Sequence, residues 1–194
     1  MFWKISGVAL LLASLACAGS NEPAPSPEPA AKTKVRLDAT AKTVTIKGLT
    51  VTRPEGWQFV TADRSLSEDA ELMMVGPAKG PQRPSVTVYR RELSARERRA
   101  APDALLTVFA MENMQMMESF ELDQEPVFSE IAGHPGASMK VKAAAMNLNG
   151  SDATPVDGRF YAIIDGANFW TVMAIVPNGG ASGDVDSVID SIRL

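Results

Sequence analysis

The chain has 194 residues, and its 19 Lys and Arg against 23 Asp and Glu give a formal net charge of −4. This balance lacks the basic surface by which proteins bind nucleic acid, so we expect no nucleic-acid partner. Cys17 is the single cysteine and His134 the single histidine. With one residue of each kind, the chain cannot form an internal disulfide or a zinc site made of several Cys and His ligands.

The N-terminus has the composition of an export signal. Lys4 precedes the uncharged apolar run Ile5–Ala16. A membrane-spanning helix needs roughly 20 apolar residues, and this run is shorter. A cation, a short apolar segment and a small last residue are typical of a cleaved secretory signal. We therefore predict a signal peptide over residues 1–16.

The end of this signal, Ser14-Leu15-Ala16-Cys17, resembles the lipobox of bacterial lipoproteins. The resemblance implies that the Cys17 sulfur receives a diacylglycerol and that its new amino group is acylated with a chain such as palmitate. The usual pattern has Leu where this chain has Ser14, and Ala or Ser where it has Leu15, although a looser form of the pattern allows both. The alternative is an ordinary signal with an incidental cysteine. The lipoprotein interpretation predicts a cell-envelope location, with the periplasmic face of the outer membrane favoured over the inner membrane.

Residues 17–34 are rich in Pro and Ala and contain few large apolar side chains. Such a segment cannot bury enough surface to fold and extends by roughly 3 Å per residue. We predict a lipidated cysteine and a disordered tether over residues 17–34, followed by one domain over residues 35–194.

The first half of this domain alternates apolar and polar residues in short segments, as half-buried strands do. Trp57 follows a turn containing Pro54 and Gly56, and we expect it to anchor the core. The predicted strands are Thr43–Lys47, Leu49–Val51, Trp57–Val60, Ala70–Val75 and Ser85–Arg90.

Pro102 and Asp103 suit the first turn of a helix, where no backbone donor is lost and a negative charge is favourable. We predict a helix over Ala104–Ser119, and its broad apolar stripe, which includes Val108, indicates burial against a sheet. In the Arg-rich segment 90–99, acids lie between the cations. This favours a solvated segment over a patch for an anionic partner.

The sequence of the second half of the domain predicts a set of antiparallel strands followed by a last helix. Asp165-Gly166 is a hairpin turn signal, and the strand after it is apolar on both faces, which predicts a central, helix-covered position. Asp184 can cap the last helix. The strands are Phe120–Ile131, Ala137–Leu148, Arg159–Ile164 and Phe169–Val176, and the helix is indicated by the i, i+3, i+4, i+7 spacing of Val185, Val188, Ile189 and Ile192. This order predicts an α+β fold, a largely antiparallel sheet with helices packed on it.

Three segments in this order, RPEGW, IAGHPG and FWTVMAIVP with the following VDSVIDSIRL, resemble the PsbP-like superfamily. The lipidated chain is similar to the DcrB-type bacterial lipoproteins. The similarity runs from Val44 to Leu194 and implies an α-β-α sandwich. It implies little about activity, because a fold alone does not specify function.

No nucleophile motif accompanies His134, which lies in a predicted turn, so we predict neither an enzyme nor a cofactor. The anchor and tether predict a membrane-anchored envelope lipoprotein with a non-enzymatic binding or assembly domain. Its membrane contact is the N-terminal lipid. Its partner would be another envelope protein or a small ligand, bound through one face of the sheet.

A different interpretation concerns the methionines Met111, Met114 and Met117, whose i, i+3, i+6 spacing places them on one side of a helix. Thioethers are soft ligands that select Cu(I), so the alternative function is a Met-rich Cu(I)-binding envelope protein. Filling of an apolar core by these side chains explains the pattern more simply.

Overall fold

The structure, a computed structural model, describes residues 38, 40–60, 70–78, 82–114, 119–146, 153–178, 180 and 182–194, and at residues 113, 114, 145 and 146 only the backbone. The helices are α1 (Pro102–Met114) and α2 (Ser182–Ser191), with a short 3-10 turn at Glu97–Arg99. The strands are β1 (Thr43–Ile46), β2 (Leu49–Thr52), β3 (Gln58–Phe59), β4 (Ala70–Val75), β5 (Ser85–Glu92), β6 (Ser119–Ile131), β7 (His134–Met146), β8 (Ala153–Asp165) and β9 (Asn168–Pro177).

Seven strands form one antiparallel sheet in the order β3-β4-β5-β9-β8-β7-β6, while β1 and β2 form a separate hairpin. The two helices pack on this sheet, so the predicted α+β fold is confirmed. The strand β9 lies between β5 and β8, as its two apolar faces predict.

Each face of the sheet carries its own apolar core. On the first, which we call the α1 face, Leu106 and Ala110 of α1 pack with Met139 and Phe160. The second, the α2 face, is covered by α2 and the β1–β2 hairpin, and its buried residues include Trp170. Because β9 contributes to both cores, it holds the two layers together.

The turn between β6 and β7 is tighter than predicted. Ala132 and Gly133 both have positive φ, 54° and 81°, as in the two-residue turns that fit the twist of a hairpin. Strand β7 begins at His134, and Pro135 already pairs with Glu130. The prediction that residues 134–136 belong to the turn is therefore wrong, because two residues suffice to reverse the chain.

Two further boundaries and one prediction of burial differ from the structure. Ser119 pairs with Ala144 in the sheet, so it belongs to β6 and not to the helix. The helix itself begins at Pro102, in the first turn where the sequence analysis placed this residue. Residues 153–158, expected in a loop, belong to β8 because β7 extends far enough to pair with them. Val108 is 51% exposed, so the apolar stripe of α1 is wider than the surface that the sheet covers.

The C-terminal helix is confirmed, with Val185, Val188 and Ile192 fully buried. Trp57 is also fully buried, as predicted. Asp184 lies inside the first turn of α2 rather than before it, so it does not cap the helix as predicted. No helix in the described part of the chain is long and apolar enough to cross a membrane.

Candidate functional site

The residues singled out by the sequence are only partly described. Cys17 and Met117 lie outside the described residues, as does the side chain of Met114. Met111 lies on α1 with 61% of its surface exposed, so it does not fill the core. Within the described ranges, no three His, Cys, Asp or Glu side chains come together as a metal site.

His134 and the arginines before α1 make local contacts. The Nδ1 atom of His134 lies 3.7 Å from Oδ1 of Asp165 in the neighbouring hairpin. Arg91 pairs with Glu97 at 2.5 Å. The guanidinium of Arg90 lies over the ring of Trp170, 5.6 Å from its centroid. The segment around these arginines is nevertheless largely exposed, including residues 94–96, 98 and 99, so the prediction of a solvated segment before the helix is confirmed.

The most distinctive polar site is a groove on the part of the α2 face that β6, β7 and β8 form. Side chains of these strands alternate between the two faces. On the α1 face Val141 and Phe160 are buried, whereas on the α2 face Lys140, Lys142 and Asp157 are exposed. This half of the sheet thus has a helix on one side and an open polar surface on the other.

The groove has a volume of about 290 Å³. This is near the lower end for small-molecule sites, roughly 300–1,000 Å³, and most such sites are more apolar. The groove therefore suits a small polar group or the charged side chains of a partner, and we call it the charged groove. Its lining residues are Asp123, Lys140, Val141, Lys142, Asp157, Gly158 and Arg159.

One end of the charged groove is acidic. Lys142 lies across the sheet from Asp157, and its Nζ is 2.9 Å from Oδ1 of Asp123. The hydrogen bond and the charge of Asp123 raise the pKa of Lys142, with smaller contributions from the charges of Glu121 and Asp157. Three carboxylates around one ammonium leave this end with an excess of negative charge.

The other end is basic. Lys140 pairs directly with Arg159 across β7 and β8, an unfavourable placement of two like charges. Arg159 is bound by Asp186 of α2, while Lys140 has no ion-pair partner within the described part of the chain. Beside them, burial raises the pKa of Tyr161, an effect that the charge and hydrogen bond of Arg159 partly oppose.

The two ends are separated by two residues along the strand, about 7 Å, which is the spacing of neighbouring side chains on one face of a sheet. A ligand group with a positive and a negative end at this separation would find the opposite charge at each end of the groove. The sequence analysis did not single out these residues. The available signal was the alternation of polar Ser138, Lys140 and Lys142 with apolar residues along the strand predicted over Ala137–Leu148.

No protein-family model and no curated protein matches this sequence. Solved structures do match. One is PsbP (CyanoP) from the cyanobacterium Synechocystis sp. PCC 6803, with 12% identity, TM-score 0.53 and coverage of 76% of this chain and 86% of that one. Another is the Ran-binding protein Mog1p of Saccharomyces cerevisiae, with 14% identity, TM-score 0.51 and coverage of 78% of this chain and 94% of that one.

The chain has the PsbP-like fold. The predicted resemblance is thereby confirmed at the level of architecture, an antiparallel sheet with helices packed on it. LpqN of Mycobacterium tuberculosis, described as involved in cell envelope biogenesis, matches with 14% identity, TM-score 0.49 and coverage of 78% of this chain and 90% of that one. At these identities the comparisons establish the fold of the PsbP-like domain and not its activity.

Proposed function

We propose that this protein is a membrane-anchored envelope lipoprotein, similar to the DcrB type, whose PsbP-like domain binds a partner through the charged groove without catalysing a reaction. The observation that carries the proposal is the half-sheet of β6, β7 and β8, which leaves a polar groove of about 290 Å³ open on the α2 face.

Two ionisable groups in or beside the groove have pKa values shifted away from the range that suits an acid or base catalyst. A general acid or base works best with a pKa near the operating pH. The pKa of Lys142 is raised from a value that is already 10.5, and that of Tyr161 from 10.0, so both shifts lead away from neutrality. Mog1p, which is Ran-binding by its description, supports by analogy the use of this fold for protein binding.

The proposed anchor gives such a groove a clear use. Acylation of Cys17 would confine the domain to a membrane surface, and the tether would let it search for a partner anchored to the same membrane. An effective concentration in the range of about 1 mM follows from a short flexible connection. Modest intrinsic affinity of the groove would then suffice. The partner would be another envelope protein or a small ligand, and the outer membrane is the favoured location.

Site-specific photo-crosslinking in the cells of origin tests this proposal. A benzoylphenylalanine placed at Ser138, the neighbour of Lys140 on the same face of β7, should yield a discrete adduct, because this position lies beside the basic end of the groove and leaves its charges in place. The same probe at Glu55, an exposed position on the turn before Trp57, is the matched control and should yield none.

The adduct should disappear when Asp157→Lys is added, since this change reverses the charge at the acidic end. Equal crosslinking from Glu55, or an adduct that is indifferent to the charge reversal, would contradict binding through the groove. Turnover of an ester, peptide or phosphate substrate by the purified protein, lost in the same variants, would show that the groove is catalytic.

A further inference from the structure

The exposed apolar side chains of this domain are concentrated on two neighbouring elements. In the described part of the chain, all the exposed large hydrophobic residues lie on α1 and β6, which pack against each other. Exposed apolar side chains that lie close together mark sites of protein interaction more often than scattered ones do. Because Val127 pairs with Ser138 and Phe128 with Ala137, these two side chains point to opposite faces of the sheet, and the exposed apolar side chains flank the β6 edge on both sides. They are Val108 (51%), Met111 (61%), Leu122 (39%), Val127 (47%) and Phe128 (63%).

The strand β6 is also an edge. Within the described residues no strand pairs with its outer side, whereas its inner side pairs with β7 along nearly its whole length. The register shifts between Leu122 and Val127 but is continuous over Val127–Ile131. The other edge strand, β3, has only two residues. A regular stretch of edge with free backbone groups can accept an added strand from another chain.

The charge of these elements determines what could be added. Neither α1 nor β6 contains a Lys or Arg, and the sequence has none from residue 100 to residue 139. A second copy of this edge would bring acids against acids, which is unfavourable between paired strands. A basic partner would gain attraction instead. The acids on the two elements are Asp103, Glu112, Glu121, Asp123, Glu125 and Glu130.

One of these acids is already neutralised, because Asp123 pairs with Lys142 inside the charged groove. Glu125 and Glu130 have no ion-pair partner in the described part of the chain, and they bracket the stretch that holds Val127 and Phe128. Free carboxylates and exposed apolar side chains therefore occur on the same regular piece of edge.

We infer that the outer edge of β6 over Val127–Ile131, with the exposed side of α1, is a docking surface for an extended, basic and apolar segment of a partner protein. The segment would pair its backbone with β6. Its Lys or Arg side chains would meet Glu125 and Glu130, and its large apolar side chains would cover Val127 and Phe128. None of the residues 125–131 lines the charged groove, so substitutions can alter one surface without replacing a residue of the other.

The test uses the full-length protein in detergent and a fluorescein-labelled peptide, Lys-Val-Lys-Phe-Lys-Val-Lys, followed by fluorescence anisotropy at low salt. Two control peptides have Glu in place of every Lys, or N-methyl groups on alternate backbone amides. We expect the basic peptide to bind and both controls to fail. The first control removes the charge attraction and the second the backbone pairing.

Variants of the protein test whether Glu125 and Glu130 attract the peptide. The double change Glu125→Lys with Glu130→Lys should weaken binding of the basic peptide by about tenfold or more, because it turns attraction into repulsion between like charges. The matched control Glu55→Lys, on a distant turn, should leave it unchanged. Hydrogen exchange at the amides of Val127–Ile131 should slow when the peptide is bound, as it does when backbone groups become paired.

Equal binding of the N-methylated peptide, or insensitivity to the two charge reversals, would overturn strand addition at this edge. Self-association of the free protein in analytical ultracentrifugation, abolished by Phe128→Ser, would overturn it in favour of an interface between two copies.

Discussion

The indole Nε1 of Trp57 donates a hydrogen bond of 3.1 Å to the carboxylate Oδ2 of Asp184. The two residues are 127 positions apart in sequence, and the bond joins the turn before β3 to the first turn of α2. A negative charge is favourable at this end of a helix, and a fully buried indole N–H needs an acceptor. One carboxylate therefore serves both requirements.

Trp57→Ala should destabilise the domain by about 3–5 kcal/mol, since it removes a large, fully buried ring. Asp184→Ala should cost less, about 1–3 kcal/mol, because it leaves the indole donor buried without a partner. Urea unfolding followed by circular dichroism measures both. Asp190→Ala, at an exposed position of the same helix, is the control and should leave the midpoint unchanged. An unaltered midpoint in Trp57→Ala would show that the ring does not belong to the core.

A second prediction concerns the close packing of β8 against β7. A Cβ atom on Gly158 would lie 2.5 Å from Cγ2 of Val141 and 3.3 Å from the ring of Phe160. Gly158→Ala should therefore destabilise the domain by about 1–3 kcal/mol through overpacking.

A double-mutant cycle identifies the cause of this destabilisation. Val141→Ala alone creates a small cavity, but combined with Gly158→Ala it makes room for the new methyl group. The double variant should be more stable than the sum of the two single changes predicts. Strict additivity would show that the cost of Gly158→Ala comes from the backbone and not from contact with Val141.

The sequence predicted the sheet well and the surfaces poorly, for a physical reason. Burial on both faces makes β9 apolar throughout, and that pattern alone places it at the centre. The apolar stripe of α1 is equally clear in the sequence, but Val108 at its margin is exposed. Periodicity shows which side of a helix is apolar and does not show how much of that side the sheet covers. The groove depends on pairing Lys140 with Arg159 across two strands, and the register of that pairing is a property of the tertiary fold.

The pKa of Glu97 provides a third prediction. The side chain of Ser94, the side chain of Arg91 and the backbone N–H of Ser94 all hydrogen-bond its carboxylate and lower its pKa from 4.5 to about 2. In return, the backbone N–H of Glu97 donates to Oγ of Ser94 at 3.3 Å, which completes a capping box. Carbon-detected NMR titration should find Glu97 ionised well below pH 4.

The effect on stability has a definite sign. The lowered pKa means that the unfolded chain takes up the proton first as the pH falls, so this carboxylate stabilises the fold above about pH 4.5 and loses that contribution towards pH 2. The stability difference between the parent and Glu97→Gln should therefore shrink across this range. Ser94→Ala should raise the pKa of Glu97, and a pKa left unchanged by that variant would contradict the capping box.

The methionines can be tested by metal binding. With Met111 exposed on α1, its thioether is accessible, but we expect no stoichiometric Cu(I) site. Competition with bicinchoninate under anaerobic conditions measures the affinity. Replacing Met111, Met114 and Met117 by Leu should cost less than about 1.5 kcal/mol per residue, since the volumes are similar. One-to-one Cu(I) binding by the parent that this variant loses would establish the alternative function.

The last prediction concerns the lipid anchor at Cys17. Cys17→Ser should abolish labelling by an alkyne analogue of palmitate and move the protein from the detergent-rich to the aqueous phase in Triton X-114 separation. A single acyl chain binds membranes only marginally, whereas the two or three chains expected on a lipidated cysteine hold a protein stably. Ser14→Leu places the usual Leu three residues before the cysteine and should speed processing without changing the partition of the mature form. If Cys17→Ser still enters the detergent-rich phase, the membrane contact must come from another part of the chain, and the proposed function would lose its anchor.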